Sequence, residues 1–190
     1  LLKERGECRK VIGYTSQANP IWPNLTVSEH LRFYAKVKGI QPAVLQRVID
    51  NTIRDMDLSE HFYKLAGTLS GGNKRKLVIA MSLIGAPPVL FLDEPSAGVD
   101  PQARRSMWQI LQNIATKKKQ SSVILTTHSM DEFEALCSKV CIMSHGIYRT
   151  IGSLSDIKQK YGTGYDLYVK LARPAQNDDI STARYTERAL

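Results

Sequence analysis

The chain has 190 residues, 26 Lys and Arg against 18 Asp and Glu for a formal net charge of +8, and 43% hydrophobic residues. This length suits one core and one domain, the composition is that of an ordinary globular protein, and apolar runs such as Val89–Leu92 are far too short to span a bilayer. The basic residues are dispersed, Lys117-Lys118-Lys119 reads as a solvated helix end, and no aromatic side chains are interleaved with them, so no nucleic-acid partner is expected.

The start, Leu1-Leu2-Lys3-Glu4-Arg5, lacks a signal-peptide core, and Leu1 in place of Met suggests a piece of a longer chain. Cys8, Cys137 and Cys141 are expected to be reduced thiols in a cytosolic setting. No His/Cys pair completes a four-ligand metal set around Cys137 and Cys141, and Cys141 falls in an apolar strand-like run, so both are read as buried structural thiols.

In chain order, Arg9–Tyr14 is predicted as a strand and Thr15–Pro23 as the loop carrying Gln17. Thr26 and Glu29 have capping-box spacing and open a helix that Gly39 ends. Pro42 to about Met56 is a second helix, with Val44, Leu45, Val48, Ile49 and Ile53 on its apolar face. Leu58–Gly67 is a connection with room for one helical turn. Ser70 caps a helix from about Gly72 to Ile84, which Gly85-Ala86-Pro87-Pro88 stops.

Val89–Leu92 is a continuous apolar run of strand length, as in a parallel sheet covered on both faces. Asp100-Pro101 starts the next helix, and Ser122–Thr126 is another buried strand. Ser129 and Glu132 have the spacing of a second capping box, opening a helix to about Ser138. Val140–Met143 and Ile147–Thr150 form a hairpin around His145-Gly146, Leu154–Tyr161 a short helix closed by Gly162, and Tyr165–Leu171 a half-exposed strand. From Arg173 the chain is polar, a flexible or truncated tail over 173–190. The alternation of strands and helices gives an α/β fold with a mostly parallel sheet, interrupted by a helical subdomain over about 26–84.

Chemistry concentrates in a few places. Asp93 ends a rigid strand, where a carboxylate can orient a water on Mg²⁺, a hard cation that prefers oxygen. The adjacent Glu94 can take the proton from a water attacking a γ-phosphate. In Ser70-Gly71-Gly72 the glycines let backbone N–H groups approach phosphate with a helix dipole behind them, and the Ser70 hydroxyl can donate to a γ-phosphate oxygen. The same residues also read as a simple cap and flexible turn. His128 follows a strand at the carboxyl edge where α/β sheets bind ligands, and Gln17 is placed to sense the metal or the attacking water.

Gln17, Leu69-Ser70-Gly71-Gly72-Asn73, Val89–Glu94, Ser96–Asp100 and His128 resemble, in order, the Q-loop, signature, Walker B, D-loop and switch histidine of ABC transporter nucleotide-binding domains. Asn73 followed by Lys74-Arg75-Lys76, Gly85–Pro88, Pro101–Arg105, His128–Cys137 and Tyr161–Tyr165 are most similar to the A subfamily, the lipid-exporter branch. The resemblance implies a partial P-loop NTPase core over 1–172 with an inserted helical subdomain and a C-terminal extension over about 151–172. It implies ATP and Mg²⁺ as ligands, with Glu94, His128 and Gln17 catalytic and Asp93 and Gln17 at the metal. Ser70, Gly71, Gly72, Asn73 and Asp100 would face nucleotide.

The same resemblance implies two partners and a location. One partner is a second nucleotide-binding domain, and the other is the set of coupling helices of a transmembrane part that handles lipid, met by residues around Gln17 to Phe33. The location is the cytosolic face of a multi-pass membrane protein. The family's pattern also has a Gly-x-x-x-x-Gly-Lys-Ser/Thr loop before the Q-loop, and this sequence contains none, with sixteen residues ahead of Gln17. The chain is therefore expected to be a fragment that is inactive by itself. A soluble ABC-type ATPase acting on ribosomes or DNA, and a non-catalytic regulatory half-site, remain as alternatives.

Overall fold

The computed structural model describes residues 6, 8, 11–117 and 121–162. The predicted strand at Tyr165–Leu171 and the polar tail lie outside the described residues. Strand β1 spans Ile12–Thr15, so it begins later than the sequence suggested and takes in Thr15. The Thr26 capping box forms: Thr26 Oγ1 accepts from Glu29 N at 3.2 Å and Glu29 Oε2 accepts from Thr26 N at 2.7 Å. It opens helix α1, Val27–Val37, and Gly39 turns the chain at φ +76°. Helix α2 covers Pro42–Asp55, with proline in its first turn. Two 3₁₀ turns, Ser59–His61 and Ala66–Thr68, fill the connection where one turn was expected.

Ser70 then caps helix α3, Gly71–Leu83, accepting from Asn73 N at 3.3 Å. This helix is buried nearly all round, from Arg75 through Ser82. Strand β2 is Val89–Asp93 and helix α4 is Pro101–Gln112, continued by a π turn over Asn113–Lys117. Strand β3 is Ser122–Thr126, and helix α5 is Met130–Leu136. Strands β4, Val140–Ser144, and β5, Ile147–Gly152, form the expected antiparallel hairpin, with a register shift at Ile142/Met143. Helix α6, Leu154–Tyr161, starts at a further capping box between Ser153 and Asp156.

Strands β1, β2 and β3 lie side by side in that order and all run parallel. Helix α3 lies against one face of this sheet so closely that backbone meets backbone: a Cβ on Gly13 would fall under 3.0 Å from Ser82 O and Leu90 Cδ1. Buried Thr15 Oγ1 donates to Ser82 Oγ at 2.9 Å, which ties β1 to the same helix. Val27, Leu31, Ile49, Ile53, Leu77, Ile79, Leu90, Leu92, Met107 and Leu111 form one continuous core between these layers.

Several expectations need correction. The sheet is covered on one face only among the described residues. Leu90 and Leu92 are buried, whereas Tyr14, Phe91 and Ile124, which the register aligns across the three strands, are 62%, 36% and 53% exposed. Strand β3 is accordingly half-exposed, not buried. Cys141 is exposed, and Cys137 and Cys8 are only partly covered. Burial still raises the Cys137 thiol above its ordinary range, with the Glu132 carboxylate adding to the shift. Ser129 caps α5 through Glu132 N at 3.4 Å, but the capping box does not close. The Glu132 carboxylate is buried and accepts instead from Trp108 Nε1 at 3.1 Å. Helix α5 ends at Leu136, short of Ser138.

Candidate functional site

Parallel strands present their carboxyl ends at one edge, and that edge gathers the acids. Thr15 ends β1 and leads into Gln17, Asp93 ends β2 and leads into Glu94, and Thr126 ends β3 and leads to His128. The register sets Asp93 opposite Thr126, and Thr126 Oγ1 donates to Asp93 Oδ1 at 2.6 Å. Glu94 turns away from its neighbour. Its Oε2 accepts from Gln17 Nε2 at 3.0 Å and its Oε1 lies 3.2 Å from His128 Nδ1. Gln17, Asp93, Glu94 and His128 therefore come together, each from a different loop except for the adjacent acids.

Glu94 has φ +45°, in the left-handed region that a side chain with a Cβ avoids. A residue held there costs on the order of 1–3 kcal/mol and persists only where its surroundings over-determine it. Here they do: Glu94 N donates to Thr126 O at 3.1 Å and approaches Thr126 Oγ1 at 3.2 Å, and Glu94 O accepts from Arg75 Nη2 at 3.0 Å. Such strain aims the carboxylate off the strand axis into an open cleft. Ser96, Ala97, Gly98, Arg104, His128 and Glu132 share that cleft with it.

The glycine turn stands apart from this cleft. Ser70 and Gly71 are exposed, and nothing lies within 4 Å of a Cβ added at Gly71. Gly72 is buried, and a Cβ there would come 3.0 Å from Ala103 Cβ, so this glycine lets α3 start against α4. Asn73 Nδ2 lies 2.9 Å from His61 Nε2, which directs its side chain towards the first 3₁₀ turn. Asp100 caps α4, accepting from Ala103 N at 3.0 Å. Ser70, Gly71, Gly72 and Asn73 thus share one helix start, and none lines the Glu94 cleft.

The sequence reading missed Arg75 and Thr126. Arg75 is 2% exposed and joins α3 to the loops of Gln17 and Glu94. A signal was available: Leu77–Leu83 is apolar or small all round the helix, which draws part of the basic run one turn earlier, Arg75 and Lys76, into the interior. Among the described residues no group of three or more His, Cys, Asp or Glu is placed to hold a metal ion. The strand-end carboxylate of Asp93, with the Thr126 hydroxyl on one oxygen, fits a cation such as Mg²⁺, which takes few protein ligands and completes its shell with phosphate and water.

A strand-end acid pair, a glutamine loop and a histidine loop meeting on a parallel sheet define an α/β domain with a polar site at the carboxyl edge of its strands. Residues 2–97 match the family model described as ABC transporter, and the chain belongs to that family. It is 44% identical over 177 residues to the "Cholesterol transporter ABCA5" of Mus musculus, covering 93% of this chain and 11% of that protein. It is 41% identical over 180 residues to the "Retinal-specific phospholipid-transporting ATPase ABCA4" of Bos taurus, covering 95% and 8%.

These similarities are to the A subfamily, and the chain spans about a tenth of the length of such relatives. Among solved structures, "Structure of ATP binding subunit of ABC transporter" superposes with a TM-score of 0.71 at 26% identity, covering 85% of this chain and 67% of that one. The cbiO1 structure from Clostridium perfringens, described as part of the ABC transporter complex cbiONQ, gives 0.73 at 25% identity, covering 83% and 63%. The fold is that of an ABC ATPase, a partial P-loop NTPase core.

Proposed function

We propose that this chain is the metal-and-water half of an ATP-hydrolysing site that drives a membrane transporter of lipids. The observation that carries the reading is the Glu94 carboxylate, fixed between Gln17 and His128 at the carboxyl ends of parallel strands. Glu94 is partly open to the cleft, as a base acting on water must be. It takes the proton of the water whose oxygen attacks the γ-phosphorus of ATP, and the bond to the β-phosphate oxygen breaks to leave ADP and phosphate. His128 donates a hydrogen bond to a γ-phosphate oxygen, and Gln17 orients the water through its amide.

Asp93 and the Gln17 side-chain oxygen would hold Mg²⁺, directly or through water; when bound, the ion neutralises charge on the phosphate oxygens. Thr126 holds one oxygen of Asp93 and so sets the direction of the other. Ser70, Gly71, Gly72 and Asn73 stand outside the Glu94 cleft, which suits a helix start offered to ATP held by a second nucleotide-binding domain. Asp100 supports that surface by fixing the start of α4 beneath Gly72.

The 190 residues contain no Gly-x-x-x-x-Gly-Lys-Ser/Thr, so by themselves they hold nucleotide poorly and do not turn it over. Trp22 and Phe33 stack edge to face at 5.2 Å and, with Val37, stay 45%, 47% and 68% exposed, an apolar rim suited to coupling helices of a transmembrane part. Among the described residues no helix is long and apolar enough to cross a membrane. On the likeness to the A-subfamily transporters, the chain would sit on the cytosolic face of a multi-pass membrane protein. The names of the A-subfamily relatives support cholesterol or phospholipid as cargo.

His128→Ala in the full-length transporter tests the reading. Photolabelling by an ATP analogue should be retained while steady-state hydrolysis falls about a hundredfold. Unchanged hydrolysis would remove His128 from the site.

A further inference from the structure

The Arg75 guanidinium has five N–H donors, and the fold provides an acceptor for each. Nε donates to Pro95 O at 2.9 Å, and Nη2 to Asp93 O at 2.7 Å and Glu94 O at 3.0 Å. Nη1 donates to Ser16 O at 2.6 Å and Gln17 O at 3.0 Å, with Ala18 O at 3.4 Å and Asn19 Oδ1 at 3.3 Å as longer acceptors. One side chain thus holds three consecutive carbonyls where β2 ends and its loop begins, and three consecutive carbonyls of the loop after β1.

Burial favours the neutral form of this cation, and the nearby carboxylates of Asp93, Glu132 and Glu94 oppose that. Yet the guanidinium bonds the backbone of both strand-end acids and leaves their carboxylates alone. It therefore fixes where Glu94 sits without consuming the group that meets water. It also holds Glu94 O, one of the bonds that keep this residue at φ +45°.

Arg75 lies on the second turn of α3, the helix that Ser70-Gly71-Gly72 opens. An α-helix rises about 1.5 Å per residue, so Ser70 and Arg75 lie little more than one turn apart on the same hydrogen-bonded helix. We propose that Arg75 is a positioning residue that couples this helix start to the Gln17 and Glu94 loops. Engagement of the Ser-Gly-Gly turn on one side of the domain is thereby read as alignment of the carboxylate on the other. The inference rests on the roles given above to Glu94 and Gln17. Lysine cannot replace arginine here, because an ammonium has three donors around one nitrogen and cannot span two loops.

The test uses the full-length transporter with Arg75→Lys, Arg75→Gln and Glu94→Gln, and the Arg75→Lys, Glu94→Gln double variant. Arg75→Lys should lower kcat for ATP hydrolysis at least about tenfold, because a misplacement near 1 Å at a reacting group costs rate, with KM for ATP changed less than about twofold. Arg75→Gln should be no better. The double variant should be no slower than Glu94→Gln alone, since positioning a carboxylate that is gone has no effect. Wild-type kcat in Arg75→Lys beside an inactive Glu94→Gln would overturn the coupling and leave the proposed function standing. Wild-type hydrolysis in Glu94→Gln would instead remove the proposed function.

Should the Arg75 variants fail to fold, hydrogen exchange on the wild-type transporter decides. Trapping with ATP and vanadate should slow exchange over 71–76, 16–19 and 93–97 together. Protection of 71–76 without the other two segments would overturn the coupling.

Discussion

Gln17 and Glu94 are 77 positions apart, yet Gln17 Nε2 donates to Glu94 Oε2 at 3.0 Å. The contact exists because β1 and β2 are adjacent and parallel with Thr15 level with Leu92, so the loops that follow them emerge at the same edge. His128 reaches the other oxygen of the same carboxylate from the third strand. A carboxylate gripped at both oxygens has its direction set before substrate arrives, which is how positioning contributes to phosphoryl transfer.

Gln17→Ala removes one of those grips and leaves the strand untouched. In the full-length transporter it should lower kcat by about 10- to 100-fold, with nucleotide binding largely kept. Steady-state hydrolysis over a range of ATP concentrations separates the two effects. A rise in KM with kcat unchanged would show that Gln17 acts in binding only.

Gly13 is a stability position. A methyl there would be driven into the backbone carbonyl Ser82 O of α3 and the side-chain Cδ1 of buried Leu90 in β2. Gly13→Ala should destabilise the domain by about 1–3 kcal/mol through overpacking, visible as a lower thermal midpoint. An unchanged midpoint would mean that α3 can move off the sheet at little cost.

The start of α1 should be acid-sensitive. Hydrogen bonds from Thr26 hold the Glu29 carboxyl below its ordinary 4.5, so the ionised form is favoured in the folded state. A group with a depressed folded pKa stabilises above its unfolded value and loses that contribution as pH falls through the folded one. Local hydrogen exchange at 27–30, corrected for intrinsic rates, should therefore be constant from neutral pH down to about 4.5 and accelerate below it. Thr26→Ala removes the hydroxyl bond but keeps the larger backbone one, so it should weaken that pH dependence without abolishing it, and acceleration beginning near neutral pH would assign it to another group.

Short-range signals were legible in the sequence. The Thr26–Glu29 box, the Ser70 cap and Asp100-Pro101 each depend on residues three or four apart, and each forms. The acid pair was legible because a strand-length apolar run must end at an edge. What failed was decided by distant partners. Ser129 and Glu132 have the spacing of a capping box, but Trp108, 24 positions from Glu132, takes its carboxylate.

Arg75 was missed because its partners are remote in sequence: the carbonyls it bonds include Ser16 O and Asp93 O, 59 and 18 positions away. The apolar run Val89–Leu92 implied cover on both faces. Phe91 instead forms an exposed row with Tyr14 and Ile124, since cover depends on which elements pack there and not on the strand itself.

The most direct measurement is ATP turnover by the full-length transporter carrying Glu94→Gln, with bound nucleotide quantified in the same sample. Glutamine keeps the size and the contact with Gln17 but cannot take a proton from water. Hydrolysis should fall by a hundredfold or more, on the order expected for loss of a positioned base, while ATP remains bound. Turnover at the wild-type rate with normal ATP occupancy would contradict the assignment of this strand-end acid as the base.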